Sequence, residues 1–405
     1  MTQENRTQPS RWAAFRIGAF CVFTYLINYY IRKLLPVLSR DMIDGGTFDE
    51  IVYGLISSTY MITYAAGQLV NGIIGDYVKP KYMVSLGLVL ASGGLSLFTF
   101  TSSHLLAIVG FGIVGFGLSM MRGPLVKVIS ENMDVKYARL SCTFLSFVSF
   151  AGPLLVGLVA LFLDWHGVFV FSAIFTLVLS VLVFLTLTLF EKRGMIRPVE
   201  LSKDKSTRQK GDFFRVFKLK NFVIYIFIGM IIETLAISLD QWLTIFFSEH
   251  LLLSDDVSKI VYYVISVLRA LCPFISLLFF KLFRGQDLRL IRAAYVATAA
   301  LFLTLLFAPG SYLGAGLLAL ALMCASIASS TMWSIYIPSL GKSGKVSSVN
   351  GILDSFGYAG ASVMNMAFAL INANFGGDGL IIAWVILPTI GVILTLLGKK
   401  EQTNE

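Results

Sequence analysis

Charge is scarce in this sequence. Of 405 residues only 14% are Asp, Glu, Lys or Arg, while 57% are apolar; soluble domains carry about 25% charge. So few charges cannot cover a water-exposed globule, and so apolar a chain cannot remain disordered. Histidine is nearly absent: His104, His166 and His250 are the whole set, without metal-ligand or catalytic-triad spacing. The four cysteines, Cys21, Cys142, Cys272 and Cys324, sit far apart inside apolar runs, which excludes a disulfide scaffold and suggests neither a redox nor a metal role. No Gly-rich loop leading into Lys and Ser/Thr is present to cradle a nucleotide phosphate. ATP drive, an enzyme activity and a cofactor are therefore not expected.

What the chain has in abundance is apolar runs of membrane-spanning length, about 20 residues each. Read between polar breaks they give about twelve spans, near 12–37, 50–74, 82–101, 105–129, 139–163, 167–190, 221–246, 257–280, 290–308, 312–338, 346–371 and 380–398. The first run is long and has no short apolar segment with a small-residue cleavage site, so it is expected to be retained rather than removed as a signal peptide. Of 32 Lys and Arg, all but Arg32, Lys33, Arg40, Arg122, Lys259 and Arg269 fall in the termini and alternate loops of one side. By the positive-inside bias that side is cytoplasmic and holds both termini. The longest polar stretch, residues 191–220, separates an N-terminal half (1–190) from a C-terminal half (221–405). It reads as a solvated tether with acids mixed among its bases, so the net charge of +9 implies no nucleic-acid partner. The expectation is an all-α, multi-pass, monomeric protein of a bacterial cytoplasmic membrane, whose partners are the lipid bilayer and a small solute.

The halves echo one another. Phe147-Val-Ser-Phe-Ala-Gly-Pro-Leu-Leu-Val-Gly157 precedes an Asp164-containing turn, and Ser355-Phe-Gly-Tyr-Ala-Gly-Ala-Ser-Val-Met-Asn365 precedes an Asp378-containing one. Six plus six spans with repeated halves resembles the major facilitator superfamily, which implies two pseudo-symmetric six-helix bundles around a site that opens alternately to the two sides. Gly72-Ile-Ile-Gly-Asp76-Tyr-Val-Lys79-Pro-Lys81 resembles that superfamily's motif Gly-x-x-x-Asp-Arg-x-Gly-Arg-Arg, with Tyr77 where the first Arg would stand. The resemblance implies a gate latch built from Gly72, Asp76 and Lys81. Gly72 lets a neighbouring helix approach, and Asp76 offers an acceptor to a helix N-terminus or a base.

Four stretches resemble the organophosphate:phosphate antiporter branch. They are Tyr29-Tyr-Ile-Arg32-Lys33, Ile62-Thr-Tyr64-Ala-Ala-Gly-Gln68, Asp164-Trp165-His166, and Asn350 to Ser362, which contains Asp354 and Tyr358. That resemblance implies a phosphate-binding role for Arg32 beside Tyr29 and Tyr64. The residues point the same way, because a guanidinium inside a span is costly unless it meets a partner or a wet cavity, and its planar fork matches an anion's oxygens. The bland alternative is that Arg32 and Lys33 snorkel to headgroups. Two positions depart from the branch: Ala236 stands where its second Arg is expected and Gln68 where it has Lys.

Arg269 in the eighth span is then the candidate second cation. Glu233 in the seventh is its structural partner or a proton carrier. Asp240 and Asp354 are further coupling candidates, and Gln68, Trp242 and Tyr358 complete the expected lining. Arg122 and Lys127, in Ser119-Met-Met-Arg122-Gly-Pro-Leu-Val-Lys127, suit a gate, a headgroup contact or, for Arg122, binding. Gly110, Gly112, Gly115 and Gly117 read as a smooth packing surface.

The function expected is secondary transport of a small organic anion, of sugar-phosphate or glycerol-phosphate type, by phosphate exchange or proton coupling. A drug/proton efflux antiporter and a non-transporting sugar-phosphate sensor are the alternatives.

Overall fold

The computed structural model describes residues 11–149, 151–196, 213–219, 221–238, 243, 246–307 and 311–398, and every extended regular element among them is helical. The chain forms two compact units: Met1–Phe213 with Ile337–Ile352, and Phe214–Tyr336 with Leu353–Glu405. Eight helices among the described residues are long and apolar enough to cross a membrane, and the pair Val135–Val148 and Ala151–Ala160 meets the same test jointly.

The first unit begins with α1 (Arg11–Val37) and the short α2 (Ser39–Asp44). It continues through α3 (Glu50–Gly75), α4 (Pro80–Phe100), α5 (His104–Ser119), α6 (Arg122–Asn132), α7 (Val135–Val148), α8 (Ala151–Ala160) and α9 (Trp165–Lys192). Side-chain caps start two of them. Asp49 Oδ1 accepts from the Val52 amide at 2.7 Å, and Asp164 Oδ1 accepts from the Gly167 amide at 3.0 Å. Each satisfies an amide that the first helical turn leaves without an intrahelical partner. The Asp164-Trp165-His166 turn is thus a helix start.

Two expected spans are interrupted, each about four residues before a proline. α5 and α6 form one apolar span, His104–Asn132, broken at Met120 and Met121. The ring of Pro124 in a continuous helix would strike the carbonyl of Met120. The same rule places the α7/α8 break at Ser149, four residues before Pro153.

α5 is the hub of this unit, packed against both α3 and α4. A methyl on Gly87 would lie 2.5 Å from the Gly117 carbonyl oxygen, and one on Gly94 would lie 2.5 Å from that of Gly110. Gly110 and Gly117 therefore face α4, whereas Gly115 meets the Tyr60 carbonyl and Gly112 the Thr59 methyl of α3. The four glycines make two smooth faces, which lets backbones pack closely where apolar area alone gives no advantage over lipid.

The second unit contains α10 (Phe222–Glu233), α11 (Asp255–Leu282), α12 (Asp287–Leu305), α13 (Ser311–Thr331) and most of α14 (Val346–Leu396). Its core centres on Trp384, fully buried between the rings of Phe246 and Phe302. α14 runs for 51 residues, too long for one crossing, and turns at Gly376, whose φ of 62° suits glycine. Three π-turns lie among the described residues of this unit: Thr234–Ser238 directly after α10, Phe246–His250, and Met332–Tyr336 directly after α13. The last is centred on Ser334, four residues before Pro338, so it obeys the same proline rule as the breaks in the first unit.

Candidate functional site

α1 and α3 bring together the residues expected to hold an anion. The Arg32 guanidinium carbon lies 5.5 Å from the centre of the Tyr29 ring and 4.8 Å from that of Tyr64. Tyr29 precedes Arg32 by three residues and so shares its helical face. Tyr64 arrives from α3, where it stacks on Tyr60 with centroids 5.9 Å apart. Ring faces of this kind stabilise a guanidinium through their negative quadrupole. One turn along α3 from Tyr64, Gln68 is buried, and its amide nitrogen has no hydrogen-bond partner among the described residues. Lys33 is half-buried beside Arg32.

A second cluster gathers around the α3–α4 turn. Asp76 accepts from two consecutive backbone amides at the start of α14, Ser347 to Oδ1 at 3.0 Å and Ser348 to Oδ2 at 3.1 Å. The carboxylate thereby occupies a helix N-terminus, where exposed amides and the macrodipole favour negative charge. Lys127 donates to the carbonyls of Gly75 and Asp76 at 3.2 and 2.6 Å, closing the end of α3. Burial pushes the Asp76 carboxyl above the usual carboxylate range, opposed by its bonds from Ser348 and by the Lys127 charge.

Close backbone contact completes the docking. A methyl on Gly72 would lie 2.6 Å from the Gly351 Cα, and one on Gly351 would strike the Gln68 carbonyl. Tyr77, where the motif's first Arg would stand, receives Lys345 instead: Nζ donates to the phenol oxygen at 3.1 Å and lies 4.8 Å from the ring centre. Lys81 is drawn elsewhere, into a 2.6 Å ion pair with Glu191 at the end of α9. Arg122 is half-buried on the first turn of α6, just past the break.

In the second unit Glu233 ends α10 and its Oε1 accepts from the Trp333 indole at 3.2 Å. The π-turns Thr234–Ser238 and Met332–Tyr336 adjoin these residues, so two of the irregularities converge on one hydrogen bond. Gly357 packs against the Glu233 side chain, where a methyl would lie 2.5 Å from Cγ. Arg269 is buried and donates Nε to Ser326 Oγ at 3.1 Å. Asp354 and Tyr358 are buried on α14, and the Tyr358 carbonyl accepts from Ser362 at 2.8 Å. Asp240 and Trp242 lie outside the described residues.

Sequence reading missed Ser347, Ser348, Lys345, Gly351 and Trp333. Two serines opening a helix are a recognisable N-terminal signal, but their acceptor, Asp76, lies about 270 residues earlier in the chain.

A family model described as Major Facilitator Superfamily matches residues 18–365. A hexose-6-phosphate:phosphate antiporter of Salmonella typhimurium is 27% identical over 266 residues, 58% of this chain and 56% of that protein. A "Probable hexose phosphate transport protein" of Chlamydia muridarum is 30% identical over 101 residues, 25% of this chain and 22% of that one. The matches thus span about a fifth to just over half of these relatives' lengths. The Escherichia coli fucose:proton symporter superposes with a TM-score of 0.77 at 16% identity, covering 96% of this chain and 100% of that structure, and so shares its fold.

Proposed function

The chain belongs to the major facilitator superfamily, and from that premise we propose that it is a secondary transporter moving a small phosphorylated organic anion across a bacterial cytoplasmic membrane by alternating access. One observation carries the substrate class: Arg32 stands inside a span with aromatic rings from two helices around it. A phosphate monoester carries about −1.5 to −2 charge at neutral pH and presents three strong acceptor oxygens. A guanidinium fork engages two of these in parallel, and the Tyr29 and Tyr64 hydroxyls suit the remainder. The hexose-phosphate chemistry named for the Salmonella and chlamydial relatives supports this class.

Asp76, Lys127 and Lys345 form the gate in this reading. Their bonds hold residues 337–352 against the α3–α4 turn, and release of those bonds opens that side. Lys81, paired with Glu191, braces the turn from behind. Coupling runs by exchange against phosphate, as the Salmonella relative's name states for that protein, or by a proton on Glu233. Trp333 and Gly357 hold the Glu233 carboxylate in one place, and Asp240 and Asp354 are the other carboxylates suited to the role.

The test is uptake of labelled glucose 6-phosphate into liposomes loaded with inorganic phosphate. Uptake that requires internal phosphate and is lost in Arg32→Ala supports exchange. Uptake driven by an imposed pH gradient and made pH-independent by Glu233→Gln supports proton coupling. Binding without flux points to a sensor. Failure of any phosphate ester to bind or move overturns the substrate class.

A further inference from the structure

A groove of about 480 Å³ runs along the first unit between α1 and α7, on the stretch of α1 that precedes Tyr29 and Arg32, and its lining is sorted by polarity. Arg11 and Tyr137 stand at one end; Phe23, Leu26 and Phe144 form the other. Among the described residues of the lining Ser141 is the sole other polar side chain, and none is acidic. From Arg11 to Leu26 the wall is fifteen residues of one helix, about 22 Å at about 1.5 Å per residue. A hydrocarbon leaflet is about 15 Å, half of a core about 30 Å thick, so the groove traverses one leaflet.

The groove opens outward. Phe15 is 66% exposed, Phe23 48%, Leu140 43% and Phe144 41%. Trp12, next to Arg11, is 73% exposed, as suits a ring at the headgroup level. Gly18 creates the crossing: a methyl there would lie 2.5 Å from Ser141 Oγ, so α1 and α7 touch at this point and diverge around it.

We propose that this groove binds an anionic glycerophospholipid of the leaflet on the N-terminal side, its phosphate at Arg11 and Tyr137 and one acyl chain along α1 toward Leu26. The occupant follows from the lining. A cation confined to one end of an apolar wall of leaflet length matches an amphiphile with a negative head. A partner helix would need polar or apolar complement along its whole length and gains nothing from the charge gradient. Basic pockets at the cytoplasmic ends of membrane helices recognise anionic headgroups by the same physics.

Native mass spectrometry of the purified full chain, offered phosphatidylglycerol or phosphatidylcholine of equal chain length, tests the assignment. Retained phosphatidylglycerol should exceed phosphatidylcholine by about fivefold or more, the weight of one basic side chain at an anionic surface. Arg11→Gln should bring the ratio toward one, while Ala19→Phe, which fills the exposed wall, should reduce retention of both lipids. Inorganic phosphate in excess should not displace the lipid, because it cannot use the apolar wall. Equal retention of the two lipids by the wild type overturns the proposal without reference to any variant. So do an unchanged ratio in Arg11→Gln, displacement by phosphate, or a second copy of the chain in place of lipid.

Discussion

Arg32 carries the sharpest expectation at the scale of single residues. Lysine keeps the charge but loses the planar fork, so Arg32→Lys should weaken phosphate-ester binding by about tenfold to a hundredfold, corresponding to about 1.5–3 kcal/mol for a charged hydrogen bond. Arg32→Ala should abolish it. Thermal stabilisation by glucose 6-phosphate, compared with uncharged glucose, reads both, since a ligand that binds only the folded state raises its stability. Equal stabilisation of Arg32→Ala and wild type would exclude Arg32 from the site. Glu233→Gln keeps the shape and an acceptor for Trp333 but cannot carry a proton; uptake by this variant should lose its dependence on external pH, measured between about pH 5.5 and 8. The Arg32 cluster was partly legible in the sequence, because Tyr29 and Arg32 share a helical face by spacing alone. Tyr64 could be placed there only through family resemblance. The partner of Lys81 was not legible, since Glu191 lies 110 residues away among other charges.

Elements show the reverse pattern, with their existence easy to read and their interruptions hard. Apolar run length marks the spans well, yet it says nothing of hydrogen bonding within a span, and so 105–129 and 139–163 read as unbroken. The proline positions held the missing information, since Pro124, Pro153 and Pro338 each have a defect about four residues upstream. The π-turn after Glu233 has no proline to explain it, and nothing in the local sequence announces it. The glycines of α5 were legible as a packing surface, although not as two faces meeting different helices. Gly117→Val should force α4 and α5 apart and cost several kcal/mol, read as loss of monodisperse protein after extraction; Gly93→Ala, where a methyl meets nothing within 4 Å, should be tolerated. The docking at Asp76 yields a separate expectation. Asp76→Ala removes the acceptor of two amides, so hydrogen exchange at Ser347 and Ser348 should accelerate by at least tenfold, whereas Asp76→Asn should leave part of the protection. Unchanged exchange in Asp76→Ala would mean the bonds contribute nothing to holding residues 337–352.

Over the molecule as a whole, the distribution of charge makes a prediction about orientation. Bases collect on one side of the expected topology while acids are divided between the two, so by the positive-inside bias a cysteine at Ser202 should be shielded from a membrane-impermeant thiol reagent added to intact cells, and one at Gly46 should react. The reverse result would invert the topology. The sequence reading sets two halves, 1–190 and 221–405, apart by the polar stretch at 191–220. That Ile337–Ile352 groups with the first unit was invisible, because it depends on backbone amides and on a glycine pair, Gly72 and Gly351, that hydropathy does not register.

The bond between Trp333 and Glu233 has an optical consequence. An indole that donates to a carboxylate oxygen has an excited state sensitive to whether that oxygen bears a negative charge. With Trp12, Trp165, Trp242 and Trp384 replaced by Phe, the emission of Trp333 alone would report the ionisation of Glu233 in real time, in a protein that carries no dye.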